Sequence, residues 1–463
     1  MKPQRLPLPP VPAAALLLLP VALLAALLLV VYPNEFALQA SLAGVDVRFV
    51  FCRVGSPEDR VLVSLEAMAY GDVVELDCPE NMDNGKTHAY FSSVPRLFGG
   101  GEAAYDFVMK ADDDTFFRLP ELAESLSRAP RRDLYYGCMV PCDYVRGSNE
   151  YMSGMGYLLS WDLVEWIVAA AAEIEGRTGG PDTTSPGGTR ARTSSYRTPS
   201  PCTSSRTTAG AETTAAREPE FRLLVGVLTT PSRYERRGIL RLAYALQPAP
   251  AAQVDVRFVL CDVTDAADAV LVAAEAARHG DILVLDGCST ENMNDGKTHA
   301  YLSSVPRLFA SSPYDYVMKA DDDTYLRVAA LADELRGKPR DDVYLGYGYA
   351  MGGQPMPFMH GMGYVVSWDV ARWVSANEDI VRRSGTRGHE DRLVGRWLNA
   401  GGRGRNRYNL KPRMYDINWD MDEFRPNTIA VHRLKNNRRW AAVFRHFNVT
   451  VGIKPSTAAR PHN

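Results

Sequence analysis

Two stretches of this chain end an apolar run in three consecutive aspartates: YDFVMKADDDT from Tyr105 to Thr115, and YDYVMKADDDT from Tyr314 to Thr324. In extended backbone alternate side chains share a face, so Asp321 and Asp323 converge while Asp322 points away. Carboxylate oxygens are hard ligands that suit Mg²⁺ or Mn²⁺. Two of them can hold a divalent ion with positions left open to phosphate oxygens, where it offsets the charge of a departing diphosphate. One isolated run of aspartates would read as a solvated acidic turn. The apolar strand before it and its repetition point instead to a site. Lys297, in NMNDGKT (Asn292 to Thr298), is a candidate phosphate contact. It is not a Walker-type lysine, because the earlier glycine of that motif falls at Glu291.

The elements that must position these groups also recur. ENMDNGKTHAYFSSVPRLF (Glu80 to Phe98) returns as ENMNDGKTHAYLSSVPRLF (Glu291 to Phe309). The chain therefore reads as a truncated copy over residues 45–175 and a complete copy over 221–451. Residues 176–219 between them are rich in Thr, Ser, Gly, Arg and Pro. That segment has too little apolar surface to offset its ordering entropy and reads as a disordered linker. In the complete copy, strands are expected at 221–228, 254–260, 281–285 and 314–320. Helices are expected at 236–246, 266–278 and 298–309, with Pro306 limiting the last. Alternating strands and helices imply an α/β fold with a mainly parallel sheet. Ligands of such sheets gather at the carboxyl ends of strands, where Asp321 to Asp323 fall.

The 463 residues leave room for two domains, and the net charge of −3 argues against bulk attraction to nucleic acid. The basic stretch Arg403 to Arg413 reads as a solvated loop. Residues 11–31 are apolar and uncharged. At about 1.5 Å per residue they match one hydrocarbon core, which Pro20 does not forbid. Lys2 and Arg5 before this run place residues 1–10 in the cytosol and the bulk of the chain in a lumen, behind an uncleaved signal anchor. Disulfides are permitted there. Cys52/Cys78 and Cys261/Cys288 stand at equivalent positions of the two copies and follow expected strands; bridged pairs and buried thiols are equally open. No CxxC pair is present, which argues against a zinc site. Asn448-Val449-Thr450 is a glycosylation sequon.

Several segments, in order, resemble the β-1,3-galactosyltransferase and β-1,3-N-acetylglucosaminyltransferase family of inverting, nucleotide-sugar-dependent enzymes. They are RRGILRLAY (from Arg236), NMNDGKT, YVMKADDDTYL, RDDVYLGY (from Arg340), PFMHGMGYVVSWD (from Pro357), HEDRLVGRWL (from His389) and TIAVHRLK (from Thr428). The first departs from the family pattern in ending Ala243-Tyr244 rather than Thr-Trp. The resemblance implies a GT-A type sheet with flanking helices, a Golgi membrane enzyme with a lumenal domain, Mn²⁺ (or Mg²⁺), a UDP-sugar donor and a glycan acceptor. It implies Asp323 and His432 as metal ligands, and Asp321 and Asp322 near the ribose or metal-bound water. Arg237, Lys297, Gly361, Gly363 and Glu390 would line the substrate site, and Asp391 would be the base that takes the acceptor proton. By spacing alone, Glu390 and Asp391 are only an acidic helix start, and His432 a structural histidine. The competing reading is an inactive relative that binds nucleotide or glycan. The first copy keeps Lys86, Asp112 to Asp114 and Gly154 to Asp162 but lacks the first strand, the arginine-rich helix, the Glu-Asp helix and the late histidine. It is expected to be catalytically silent.

Overall fold

The computed structural model describes residues 44–99, 105–140, 151–170, 219–247, 252–351, 354–418, 420, 422–450 and 452. The expected cytosolic tail and anchor (1–31), almost all of the linker, and Cys142 and Cys202 lie outside the described residues. Among those described, no helix is long and apolar enough to cross a membrane.

The first copy contributes β1 (Phe49–Phe51), α1 (Pro57–Tyr70), β2 (Val73–Glu75), α2 (Lys86–Phe98), β3 (Phe107–Ala111), α3 (Leu119–Ser127), β4 (Tyr135–Val140), β5 (Tyr151–Ser160) and α4 (Trp161–Ala169). The second begins with β6 (Arg222–Leu228), α5 (Tyr234–Ala245), β7 (Gln253–Leu260), α6 (Ala266–His279), β8 (Ile282–Val284), α7 (Lys297–Leu308) and β9 (Tyr316–Asp321). It continues with β10 (Tyr325–Leu326), α8 (Val328–Arg336), β11 (Val343–Met351), β12 (Gln354–Ser367), α9 (Trp368–Ala376), α10 (Glu378–Ser384) and α11 (Glu390–Gly401). The last elements are β13 (Asn406–Asn409), β14 (Met414–Asp416), β15 (Ala430–His432) and α12 (Asn437–His446). Local chemistry sets the boundaries. Ser56 and Asp265 cap α1 and α6 by accepting from the Asp59 and Asp268 amides, and Gly71 and Gly280 end both helices in the left-handed region. Both cysteine pairs are bridged, Cys52 to Cys78 and Cys261 to Cys288.

The second copy builds a sheet in the order β13-β11-β12-β9-β6-β7-β8. It is mainly parallel, as expected. The exception is β12, which runs antiparallel to both β9 and β11 because it follows β11 directly as a hairpin. Strand β6 is an inner member, parallel to β7 on one side and β9 on the other. Its side chains alternate between two cores. Leu223, Val225 and Val227 enter one, and Leu224 and Leu228 the other. A second, three-stranded sheet, β10-β15-β14, returns the end of the chain to the aspartates.

The first copy repeats this order of elements without β6, and its sheet is divided. Strands β1 and β2 form one parallel pair, and β3-β5-β4 a separate antiparallel sheet. In the second copy β6 alone joins the equivalent halves, so its absence accounts for the division. The expected single truncated domain over 45–175 is accordingly not one unit. Residues up to Ala89 and Asp112–Pro130 belong to a compact unit with Pro219 onward, whereas Tyr90–Ala111 and Arg131 onward form another. The small core of the latter is Phe91, Val94, Val108, Leu159, Trp161 and Val164. Phe116 is 89 % exposed, while its counterpart Tyr325 is 2 % exposed beneath Phe444 and Phe447. The first copy has no equivalent of those closing residues.

Gly226, in the middle of β6, admits the Tyr301 ring; a Cβ there would come within 2.2 Å of it. The Tyr301 hydroxyl donates to the Met318 carbonyl at 3.0 Å and so ties α7 to β9. Gly226→Ala is expected to cost about 1–3 kcal/mol through overpacking. The measurement is the unfolding temperature of the chain, and Tyr301→Leu in the same background should recover part of the loss.

Candidate active site

Residues Asp321 to Asp323 leave the carboxyl end of β9, and His432 ends β15. The His432 Nε2 lies 3.0 Å from Asp323 Oδ1 and 3.6 Å from Asp321 Oδ2. The ligand atoms of Asp321, Asp323 and His432 all fall within 4.8 Å of one another. The Leu434 amide donates to the Asp323 carbonyl at 3.0 Å, which fastens the loop after β15 to the aspartate turn.

The electrostatics favour a cation. Asp323 is 3 % exposed, and its buried Oδ2 has no hydrogen bond of acceptable geometry, although the Lys435 ammonium lies against it. Burial would raise its pKa, but His432 and Lys435 hold it well below the usual carboxylate range. Burial would lower His432, yet its hydrogen bonds to Asp323 and Asp416, with the charge of Asp321, push it up to about 9. Three carboxylates thus share one imidazole. Two carboxylate oxygens and an imidazole nitrogen suit Mn²⁺ or Mg²⁺, so the residues present fit such an ion.

Asp322 points the other way, as alternation requires. It accepts from Thr229 Oγ1 at 2.7 Å and Arg233 at 2.6 Å. Both oxygens are engaged and the residue is 3 % exposed, so the expected ribose or water contact gives way to a role in ordering the loop after β6. Arg237 and Lys297, expected as substrate contacts, are each 0 % exposed and bonded within the protein. Arg237 bonds Glu275 and the carbonyls of Thr230 and Pro231. Lys297 bonds Glu291 and the Thr229 carbonyl. Both shape the loop that Asp322 also holds.

Glu390 is likewise not a free ligand group. It accepts from Lys319 at 2.8 Å and from the Tyr364 hydroxyl at 2.9 Å. Lys319, 0 % exposed, also bonds Asp321 at 2.6 Å and the Gly361 carbonyl. Burial lowers its pKa, but Asp321 and Glu390 outweigh this and hold the ammonium charged. Gly361 is required by this arrangement, since a Cβ there would come within 2.6 Å of Glu390 Oε1. A Cβ on Gly363 would meet Met318 at 2.8 Å. At both glycines, expected to approach a sugar, the space a Cβ would take is filled by another side chain. Asp391 is half-buried in the first turn of α11, bonded only locally, to the Arg392 amide at 2.8 Å. The Asn294 side chain accepts from the Glu390 amide at 3.0 Å, so the NMNDGKT segment seats this helix end.

Three residues were missed from sequence. Asp416, opposite His432 in the β14–β15 register, bonds its Nδ1 at 2.7 Å. A carboxylate on the second imidazole nitrogen fixes the ring so that Nε2 faces Asp321 and Asp323. His360 packs against both Tyr347 and Tyr349, at 5.5 and 5.6 Å, and the two tyrosine rings also stack on each other. Burial, with the nearby His432, holds His360 below the usual histidine range against the charge of Asp416, whose Oδ2 lies 4.0 Å from its Nε2. Lys435 is the third. Only His360 left a signal, as a histidine in a glycine-rich segment where the first copy has Ser153. Lys319→Met would strand Asp321 and Glu390 beside each other without a counter-charge. A loss of about 3–5 kcal/mol is expected, the range for breaking a buried ion pair from one side, measured as a fall in unfolding temperature.

A Galactosyltransferase family model matches residues 235–356. The chain is 24 % identical over 285 residues to "Beta-1,3-galactosyltransferase pvg3" of Schizosaccharomyces pombe, covering 48 % of this chain and 73 % of that protein. It is 30 % identical over 145 residues to "UDP-GlcNAc:betaGal beta-1,3-N-acetylglucosaminyltransferase 8" of Mus musculus, covering 26 % of this chain and 36 % of that one. A solved structure of the galactosyltransferase LgtC with donor and acceptor sugar analogues overlaps at a TM-score of 0.31 and 13 % identity, over 50 % of this chain and 97 % of that one, and carries no argument at that distance. The matched span runs from the helix that supports the Thr229–Pro231 turn, through the three aspartates, to the start of β12, so this part of the cleft resembles galactosyltransferases and related glycosyltransferases.

Proposed function

We propose that the C-terminal copy transfers a hexose, galactose or N-acetylglucosamine, from a UDP-sugar to a glycan hydroxyl with inversion, forming a β-1,3 linkage. The observation that carries this reading is the convergence of Asp321, Asp323 and His432 at the carboxyl end of β9. Mn²⁺, or Mg²⁺ in its place, bound there would offset the charge of the diphosphate leaving group. Arg233 and Lys435, 54 % and 63 % exposed, give the cleft a cationic rim suited to phosphate oxygens. Asp391 takes the proton of the acceptor hydroxyl as that oxygen attacks the anomeric carbon and UDP departs from the opposite face. Its half-buried place beside Gly361, with its partner Glu390 committed to Lys319, supports Asp391 rather than Glu390 as the base. The proposed setting is the Golgi lumen, with residues 11–31 as a signal anchor. The first copy, without counterparts of Asp391 and His432, is proposed to be silent.

Asp391→Asn is expected to lower the turnover of UDP-sugar into glycan product by about 10²–10⁴-fold without loss of folding. Asp114→Asn in the first copy should leave turnover unchanged. An active Asp391→Asn protein would remove the base assignment. A second expectation concerns pH. A ligating imidazole must be neutral, and His432 holds its proton up to about 9, so below that pH cation binding displaces a proton. Mn²⁺ affinity, read by calorimetric titration, should rise by about tenfold per pH unit from 6 toward 9 and then level off. A flat profile would exclude His432 as a ligand.

A further inference from the structure

Helices α1 and α6 occupy the same place in the two copies, each capped alike and each following the first cysteine of a bridged pair. Their inner faces agree: Val63 and Val272 are 8 % and 5 % exposed. Their outer faces do not. On α6 the outer face carries Val270, Leu271, Ala274 and Arg278, with Val270 69 % exposed and Leu271 49 % exposed. The aligned residues of α1 are Val61, Leu62, Leu65 and Ala69. Their helical spacing puts all four on one face. Leu65 is 1 % exposed and belongs to the core of the C-terminal copy, with Val61, Leu62 and Ala69 packed against that core. The elements that α1 meets are α5 and α12. Glu58, in its first turn, sits in the field of Arg438 and Arg445 of α12.

Helices α5 and α12 are the two that grip the loop after His432. Arg236 of α5 donates to the carbonyls of Leu434 and Lys435 and lies over the Trp440 ring of α12, 5.5 Å from its centroid. Arg439 donates to the Arg433 carbonyl at 2.6 Å. We propose that β1-α1-β2 of the first copy acts as a built-in brace for the second, docking the additional apolar face of α1 on α5 and α12 and so holding the loop that carries His432 to Lys435. The partner of this face is the same chain's C-terminal copy. The face has no counterpart of equal apolarity on α6, where Leu65 and Ala69 are replaced by Ala274 and Arg278.

The test is hydrogen exchange on the full chain carrying Leu65→Arg, with Leu65→Met as the conservative control. Amides of residues 234–245 and 433–446 should exchange about tenfold faster or more in Leu65→Arg, and at the unaltered rate in Leu65→Met, while α6 is unchanged in both. If Leu65→Arg does not fold, the milder pair Leu62→Ala and Leu65→Ala should give the same pattern at smaller amplitude. Faster exchange confined to α1, with α5, α12 and the loop at their original rates, would overturn the proposal. This readout requires no turnover, so it fails or succeeds independently of the transferase reading.

Discussion

A single buried ammonium joins the two halves of the cleft. Lys319 reaches Asp321 on its own strand and Glu390 at the start of α11, with no exposure to solvent. Removing it would leave the buried Glu390 carboxylate without its counter-charge, and burial already pushes that group up. The metal-ligand set and the proposed base thereby share one rigid support, although they arise from segments some seventy residues apart (|i−j| = 71 for Lys319 and Glu390). Gly361 exists in that form because the Glu390 carboxylate fills the space a side chain would take. Two residues expected as substrate contacts, Gly361 and Glu390, also close around this charge.

The first copy shows what happens when supports are removed. It retains the lysine and the aspartates, and Lys110 bonds the Gly154 carbonyl as Lys319 bonds that of Gly361. Among the described residues it has no helix to bring a glutamate, no late strand to bring a histidine, and no strand in the place of β6 to join its two sheets. The aspartate motif alone therefore does not make a cleft. Parallel strands pair only through long connections, and the loss of one inner member leaves the remainder as local pairs and hairpins.

Much of the second copy was legible in its sequence. Apolar runs located β6, β7, β8 and β9, and the two-residue period correctly separated Asp321 and Asp323 from Asp322. His432 needed the resemblance, because an isolated histidine after a strand carries no chemistry by itself. Asp416 could not be read, since its role depends on the register of β14 against β15. For Arg237, Lys297 and Glu390 the sequence did not show the internal partners. A charged residue in a motif looks the same whether it is kept for a ligand or buried to hold a neighbouring loop. Only the partners decide, and these are Glu275 with two carbonyls, Glu291 with one, and Lys319 with Tyr364.

The contact between α1 and α12 has a consequence for biosynthesis. One helix is among the first structured parts of the chain to be made, and the other is the last described element. Until translation reaches α12, the outer face of α1 has only part of its cover, and the ribosome holds a nascent chain with an uncovered aliphatic stripe. Such stripes are where chaperones bind and where misassembly begins. Completion of α12 thus supplies the remaining cover for α1.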